Sequence, residues 1–525
     1  MPARLHMEKH LPDTRSDGET IRLVGRSSRL SLLQIEIVQN KIKTAFPEMK
    51  VEIIAKSSKG DELQGIPLHT VEGSDFFTQD IFDALKNGEA DIAIHSLKDM
   101  SGEHFFGENK FAIVDRDDAR DVTIFNNDIE EKIASGKTII IGTCSPRREE
   151  MATVFLKKAL PQLNDDIKIE TKSIRGNVET RLRKLNNGEY DATILAMAGL
   201  NRLLNSAKDA ALIKELLKDK KLMVLPLIEC VPAPCQGAVV AEAYYENEKA
   251  IAVLKKINNE KLFADCVNEK KAASEYGKGC LQQFGVTTIP YGNNSTLYAA
   301  GKDENGKQFS HWYYTRNLKQ EGNIFSAADH VKDFFQIETL QDIQMDENID
   351  AVYIASNNTV HSSAIQNAIQ NKRIWAAGTH TWYGLAKKGM WVEGCADGLG
   401  LELLTTAWQS SLISLSKEKA QILTNQLGVD TWKKEGWEAT ATYHLFPHLN
   451  NNIIPALKNS SIFFWTSFHQ YECCKNILPD KAVHCCPAGK TAQLFRNADI
   501  EPKIFPTIAA FKEWKKEISI ATSVG

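Results

Sequence analysis

The feature that most constrains this chain is a hydrophobic period that switches back and forth. Short β-rich runs at Ile21–Val24, Val51–Ala55, Asp91–Ser96, Thr138–Thr143 and Ala192–Leu195 alternate with amphipathic stretches. In the first of these stretches Leu30, Leu33, Ile37, Val38, Ile42 and Phe46 recur at helical spacing, which predicts a helix over Leu30–Phe46. Strands alternating with helices imply parallel α/β domains. The chain has 525 residues, too many for one core, and a typical size of about 150 residues gives three or four domains.

The texture changes near residue 290. Gly292–Thr296 and Lys302–Gly306 are turn-rich and flank the strand-like runs Leu297–Gly301 and His311–Thr315, which predicts a small α+β domain. A polar stretch, Gln341–Asp350, then precedes a second α/β series that starts at Ala351, and a domain boundary is expected there.

Several function classes are unsupported. No GxGxxG follows a strand and no GxxxxGK[ST] occurs, which argues against a dinucleotide fold or a P-loop. The net charge of −4 exerts no general pull on nucleic acid or anionic membranes, so neither is expected as a partner. No run of about 18 apolar residues is present to span a membrane. Residues 1–20 read as a polar tail. The ten cysteines are scattered apart from Cys473-Cys474 and Cys485-Cys486, which lack CxxC spacing. They read as buried thiols of a reduced, cytoplasmic protein, with no metal site expected.

Four strand–helix junctions carry candidate chemistry. The strand ending at His95-Ser96 runs into Leu97-Lys98-Asp99, beyond the carboxyl end of a strand, where α/β sheets bind ligands. An acid beside a lysine there can stabilise or shuttle positive charge, and it reads equally as an ion pair closing a loop. In Gly142-Thr-Cys-Ser-Pro-Arg-Arg148, Ser145 suits a helix N-cap and Pro146 the first helical position. Arg147 and Arg148 then oppose the helix dipole, a placement that makes sense when an anion sits at that terminus. Ser173-Ile-Arg175-Gly-Asn177-Val-Glu-Thr-Arg181 repeats the device with Asn177 as the cap, and Arg26 again lies between a strand and a helix. Together the arginines describe a site for a ligand rich in carboxylates or phosphates.

In order and spacing, these motifs resemble the hydroxymethylbilane synthase (porphobilinogen deaminase) family. The matching stretches are Gly25-Arg-Ser-Ser, Lys59-Gly-Asp61, His95-Ser-Leu-Lys-Asp99, Arg116-Asp-Asp-Ala-Arg-Asp121, Gly142–Arg148, Ile174–Leu182, Asn187–Asp191, Ala198–Leu200, Gln236-Gly-Ala238 and Gly277-Lys-Gly-Cys280. The resemblance spans residues 21–336. It implies two periplasmic-binding-protein-like domains, 21–115 with 238–257 and 116–237, followed by a small α+β domain, 258–336.

It further implies a dipyrromethane cofactor joined to Cys280 by a thioether. Four porphobilinogens would be added with loss of ammonia, and hydrolysis would release a linear tetrapyrrole from a monomeric enzyme. On this resemblance Asp99 is the catalytic residue, stabilising pyrrole N–H groups and a developing cation. Ser96, Lys98, Asp61, Thr143, Ser145, Arg147, Arg148, Arg175 and Gly176 would contact the cofactor. Arg26, Arg181, Asn177 and Gln236 would bind substrate. The family's GGKGLF segment reads Glu72-Gly-Ser-Asp-Phe-Phe77 here, with Gln79 for a later lysine, so two cations are missing from a loop expected near the site. The cysteine loop is GKGC in place of GGC, and Cys235 replaces a small residue.

Residues 345–525 resemble uroporphyrinogen-III synthase less closely, as an α/β region of two similar halves that implies cyclisation of the linear product. Tyr353–Asn358 and Phe464–Ser467 end strands, while Ala376–Trp382 and Cys486–Ala492 precede helices. His311–Arg316 resembles that family's opening strand, and reads equally as part of the small domain. Ser356, Thr379, Thr466, Ser467 and Thr491 are candidate carboxylate binders, with most expected to be helix caps. Tyr443 is a candidate cleft residue. The competing reading of the whole chain is a non-enzymatic α/β protein that captures a polyanion.

Overall fold

A computed structural model describes residues 20–56, 79–277, 282–291, 294–313, 322–341 and 343–524. The chain divides into two compact units, Met1–Arg116 with Ala238–Cys266, and Asp117–Gly237 with Val267–Gly525.

The first unit opens with β1 (Thr20–Arg26), β2 (Lys50–Lys56), β3 (Ile92–Ser96) and β4 (Lys110–Arg116). Between β1 and β2 runs the Arg29–Ala45 helix, one residue from each predicted end. Its buried residues Ile35, Val38 and Ile42 pack with Ile21, Leu23, Ile92 and Ile94. The second unit begins with β5 (Asp121–Phe125), β6 (Ile139–Gly142), β7 (Ile169–Lys172), β8 (Ala192–Ala196) and β9 (Lys221–Val224), in the order β7-β6-β8-β5-β9. The chain then returns to the first unit with β10 (Ala238–Ala243), giving the order β2-β1-β3-β10-β4.

Both sheets are mixed, not parallel as the alternation implied. β10 runs antiparallel to β3 and β4, and β5 runs antiparallel to β8 and β9. Right-handed βαβ crossovers govern only strands joined by a helix. β10 arrives by a long excursion through the other unit, so its direction escapes that rule.

The small domain is an antiparallel sheet, β11 (Gln283–Tyr291), β12 (Asn294–Lys302) and β13 (Gln308–Tyr313). β13 settles the double reading of His311–Tyr313, which belong to this sheet. The C-terminal region starts earlier than residue 345. β14 (Ile324–Ser326) already pairs with β21 (Ile462–Phe464), and β15 (Phe335–Thr339) with β20 (Glu438–Pro447). A three-residue strand carries no period of its own, so the sequence could not mark this start.

Two α/β lobes follow. One sheet has the order β15-β20-β19-β16-β17-β18, with β16 (Ala351–Ile354), β17 (Arg373–Ala376), β18 (Val392–Cys395) and β19 (Ala420–Asn425). The other is β14-β21-β22-β23, completed by β22 (Val483–Pro487) and β23 (Lys503–Phe505). The vicinal cysteines lie in this smaller lobe as free thiols, with Cys474, Cys485 and Cys486 buried.

The first lobe shares a core with the Asp117–Gly237 block. One apolar cluster joins Phe125, Ile141, Phe155 and Leu156 to Ile354, Ile374, Trp382 and Leu385. Trp382 is fully buried, meets Phe155 edge-on at 5.0 Å and donates Nε1–H to the Ala159 carbonyl at 2.9 Å. Trp391 packs edge-on against Phe125 and donates to the Leu222 carbonyl at 3.1 Å. At about 25 cal/mol per Å² of apolar surface removed from water, two indoles sealed in this way contribute several kcal/mol.

Candidate active site

The expected site residues fall into two groups, one within each unit. In the first unit β3 ends at Ser96 and tightens into a single 3₁₀ turn, Leu97–Asp99. Leu97 is fully buried and pins the turn, Lys98 is half-buried, and Asp99 is exposed. Asp99 makes no hydrogen bond or ion pair among the described residues, so its carboxylate faces solvent. Arg26 closes β1 in the same unit.

Behind the turn lies a contact that the sequence did not reveal. Glu242 of β10 is fully buried, with His95 Nε2 at 3.0 Å from Oε2 and His104 Nε2 at 2.7 Å from Oε1. Asn109 Nδ2 donates to Oε1 at 2.6 Å. Burial alone would push the Glu242 carboxyl up, but hydrogen bonding and charge from His104 and His95 outweigh it and hold it at about 2. A single buried anion is thus hydrogen-bonded to His104 and Asn109 and lies beside His95, the residue before the Ser96–Asp99 turn.

In the second unit the local expectations hold at both helix starts. Ser145 caps the Pro146–Ala159 helix, its Oγ accepting from the Arg148 N–H at 3.5 Å. Thr143 is fully buried, and its hydroxyl accepts from the Ser145 N–H at 3.1 Å. Asn177 caps the Val178–Asn186 helix, accepting from the Thr180 N–H at 2.8 Å. Gly176 before it has φ +110°, and a Cβ there would lie 2.6 Å from Thr180 Cγ2, so the turn requires glycine.

The arginine placement needs a correction. The dipole penalty on Arg147 and Arg148 is met inside the protein, by Asp121 at the start of β5. Arg147 Nη2 donates to Asp121 Oδ2 at 2.8 Å, and Arg148 Nη2 to Oδ1 at 2.7 Å. Arg147 also reaches the Val231 carbonyl at 2.7 Å, and Arg148 the Ile194 carbonyl at 3.0 Å. Gln236, 1% exposed, donates Nε2–H to Asp121 Oδ1 at 2.9 Å and to the Ala119 carbonyl at 2.6 Å. Burial would raise the Asp121 carboxyl, yet the charges of Arg148 and Arg147 drive it far below the carboxylate range.

Arg181 sits one turn into the second helix and donates Nε–H to the Gly176 carbonyl at 2.8 Å. Burial and the nearby charge of Arg148 both lower its affinity for a proton. Two guanidinium groups therefore share the Asp121 carboxylate, and the third, Arg181, lies close enough to Arg148 to feel its charge, at the N-terminal ends of two helices. That excess of positive charge fits a ligand bearing several carboxylates. Arg175, half-buried, immediately precedes the second helix.

Asp121, Glu242 and Arg202, whose Nη2 donates to the Gly237 carbonyl at 2.6 Å, were not singled out by sequence reasoning. Asp121 lies inside a matched stretch, but its partners are 26 to 115 residues away, and no local signal marks it. Asp61, Ser74, Asp75 and Cys280 lie outside the described residues.

Residues 21–252 match the family model described as porphobilinogen deaminase, dipyromethane cofactor binding domain. Porphobilinogen deaminase of Streptococcus sanguinis is 32% identical over 291 residues, 55% of this chain and 88% of that protein. A probable porphobilinogen deaminase of Methanocaldococcus jannaschii is 34% identical over 53% of this chain and 85% of its own length. Among solved structures, the OxyR2 regulatory domain of Vibrio vulnificus is 15% identical, with a TM-score of 0.26, over 46% of this chain and 94% of that one.

Proposed function

The chain belongs to the porphobilinogen deaminase family, and from that premise we propose that residues 21–336 polymerise porphobilinogen into linear hydroxymethylbilane on a dipyrromethane held by Cys280. The observation that carries this reading is the cation-rich cluster of Arg147 and Arg148, paired with the single carboxylate of Asp121, and Arg181 beside Arg148. When bound, the dipyrromethane supplies the primer to which pyrrole units are added. Arg148, Arg175 and Arg181 pair with acetate and propionate groups of cofactor and chain, and Arg26 does the same in the first unit. Thr143, Ser145, Arg147, Gly176, Asn177 and Gln236 act as the frame that orients them. Ser96 and Lys98 hold the turn carrying Asp99. Asp99 presents its exposed carboxyl group to pyrrole N–H groups, stabilises the cation left when ammonia departs, and takes part in the proton transfers.

Intact-protein mass spectrometry tests this directly. The protein should carry one dipyrromethane adduct, absent in Cys280→Ser, and Asp99→Ala should keep the adduct while losing nearly all turnover. An unmodified, folded protein from a porphobilinogen-replete host would overturn the reading.

A second reading concerns the C-terminal region as a uroporphyrinogen-III synthase. The support is its two α/β lobes and, in the larger one, the strand β20, where Tyr443 Oη lies 3.0 Å from Ser356 Oγ and 3.5 Å from Asn425 Nδ2. Of the five hydroxyl candidates, Ser467 alone acts as a side-chain helix cap, in a capping box with Gln470. Thr466 is bonded to Gln470, Thr491 to the Thr466 carbonyl and Thr379 to Glu229, which corrects the expectation that most are caps. Supplied with hydroxymethylbilane, an active region yields the III isomer, and formation of the I isomer alone excludes this activity.

A further inference from the structure

The segment linking β9 to β10, residues 225–237, is buried over most of its length. It carries Gln236 and the Val231 carbonyl, so two elements of the site frame hang on it. The C-terminal region holds the same segment from the other side. Thr379 Oγ1 donates to Glu229 Oε1 at 2.5 Å, and the Ile228 N–H donates to Asp397 Oδ1 at 3.3 Å. Leu227 and Val231 share an apolar cluster with Leu399 and Ala510.

Both holding residues are themselves fixed. Thr379 opens the Thr379–Ala386 helix, whose Trp382 is sealed against Phe155. Asp397 is buried with φ +54°, a left-handed conformation that a non-glycine residue keeps only when its surroundings impose it.

We propose that Thr379 and Asp397 are positioning residues of the deaminase site, fixing Glu229 and Ile228 so that Val231 and Gln236 present Arg147 and Asp121 in register. Glu229 lies two residues before Val231 in a packed segment that cannot absorb a shift locally. If Glu229 loses its hydroxyl donor, a poorly solvated carboxylate is left without that partner and moves towards water. The Val231 carbonyl moves with it, away from Arg147. Because Arg147 and Arg148 share Asp121, both guanidinium groups are displaced. The C-terminal region thereby acts on the affinity of the deaminase for carboxylate-bearing pyrroles, whatever chemistry it performs itself.

The test uses the full-length, cofactor-loaded enzyme. Thr379→Val removes the hydroxyl at nearly constant volume, Thr379→Ser restores it, and Asp397→Asn keeps an acceptor for Ile228. Turnover is normalised to adduct measured by mass. The expected result for Thr379→Val is a rise of about three- to tenfold in KM for porphobilinogen, with kcat per adduct little changed. Thr379→Ser should return KM to the wild-type value and Asp397→Asn should leave it there, whereas Asp397→Ala, which removes the acceptor for Ile228, should raise it as Thr379→Val does. A normal KM in Thr379→Val overturns the proposal, as does a loss confined to kcat, which marks a folding defect. The inference rests on the deaminase reading, and the two fail separately: absence of adduct and turnover in the wild-type protein defeats that reading instead.

Discussion

Replacing Asp121 by asparagine probes the centre of the site frame. Asp121 is 1% exposed and accepts from Arg147, Arg148 and Gln236. Asparagine keeps the shape, removes the charge and turns one acceptor oxygen into a donor. Removing one partner of a buried ion pair costs about 3–5 kcal/mol, because the other partner stays buried with its charge unmatched. Here two guanidinium groups lose their counter-ion, and Arg181 adds its repulsion. At about 1.4 kcal/mol per factor of ten, the opening constant of the Pro146–Ala159 helix should rise by about two to three and a half orders of magnitude.

Hydrogen exchange of peptides from that helix measures the change. Its pH dependence follows from the direction of the Asp121 shift. A carboxyl held below its unfolded value of about 3.9 contributes fully above that value and is lost only as pH falls through the lower folded value. The difference between wild type and variant should therefore stay constant from about pH 5 to about pH 8. A change below tenfold, or one that fades within that range, would refute the assignment of Asp121 as the counter-ion of both arginines.

Two other outcomes are expected. Trp382→Ala empties a fully buried site and strands the Ala159 carbonyl, at a cost of about 3–5 kcal/mol. Limited proteolysis should then cut rapidly after Ala159, and wild-type resistance would count against the shared core. Glu242 is held at about 2 by its histidines, so its contribution is present above about pH 4.3 and is lost as pH falls towards 2. Exchange protection of Ile92–Ser96 should fall over that interval in the wild type. In Glu242→Gln it should already be low at neutral pH, and equal protection of the two proteins would remove Glu242 from the turn.

The parts of the site legible from sequence are those whose physics is local. Ser145, Pro146 and Asn177 act within four residues of where they stand, and their helices begin where cap chemistry says they should. The counter-ions were not legible. Asp121 and Glu242 act across the fold, and an acid on a strand reads the same whether it faces water or two cationic side chains. Trp382 shows the same limit. The sequence places Trp382 where a helix is expected to begin, but does not show that Phe155, over two hundred residues earlier, covers it. The mixed strand directions were missed because periodicity reports which residues are buried, not which way a distant strand runs.

The insertion of β10 between β3 and β4 also bears on how the protein is made. Until residue 243 leaves the ribosome, the sheet of the first unit lacks the strand that joins β4 to the rest. At about 5–20 residues per second, synthesis from Arg116 to Ala243 takes roughly 6–25 s. Through that interval the nascent chain presents the unpaired edges of β3 and β4, each apolar along its buried positions. The first unit, although translated first, is completed only after the 117–237 block has emerged, and its exposed strands are the segments a nascent-chain chaperone would cover.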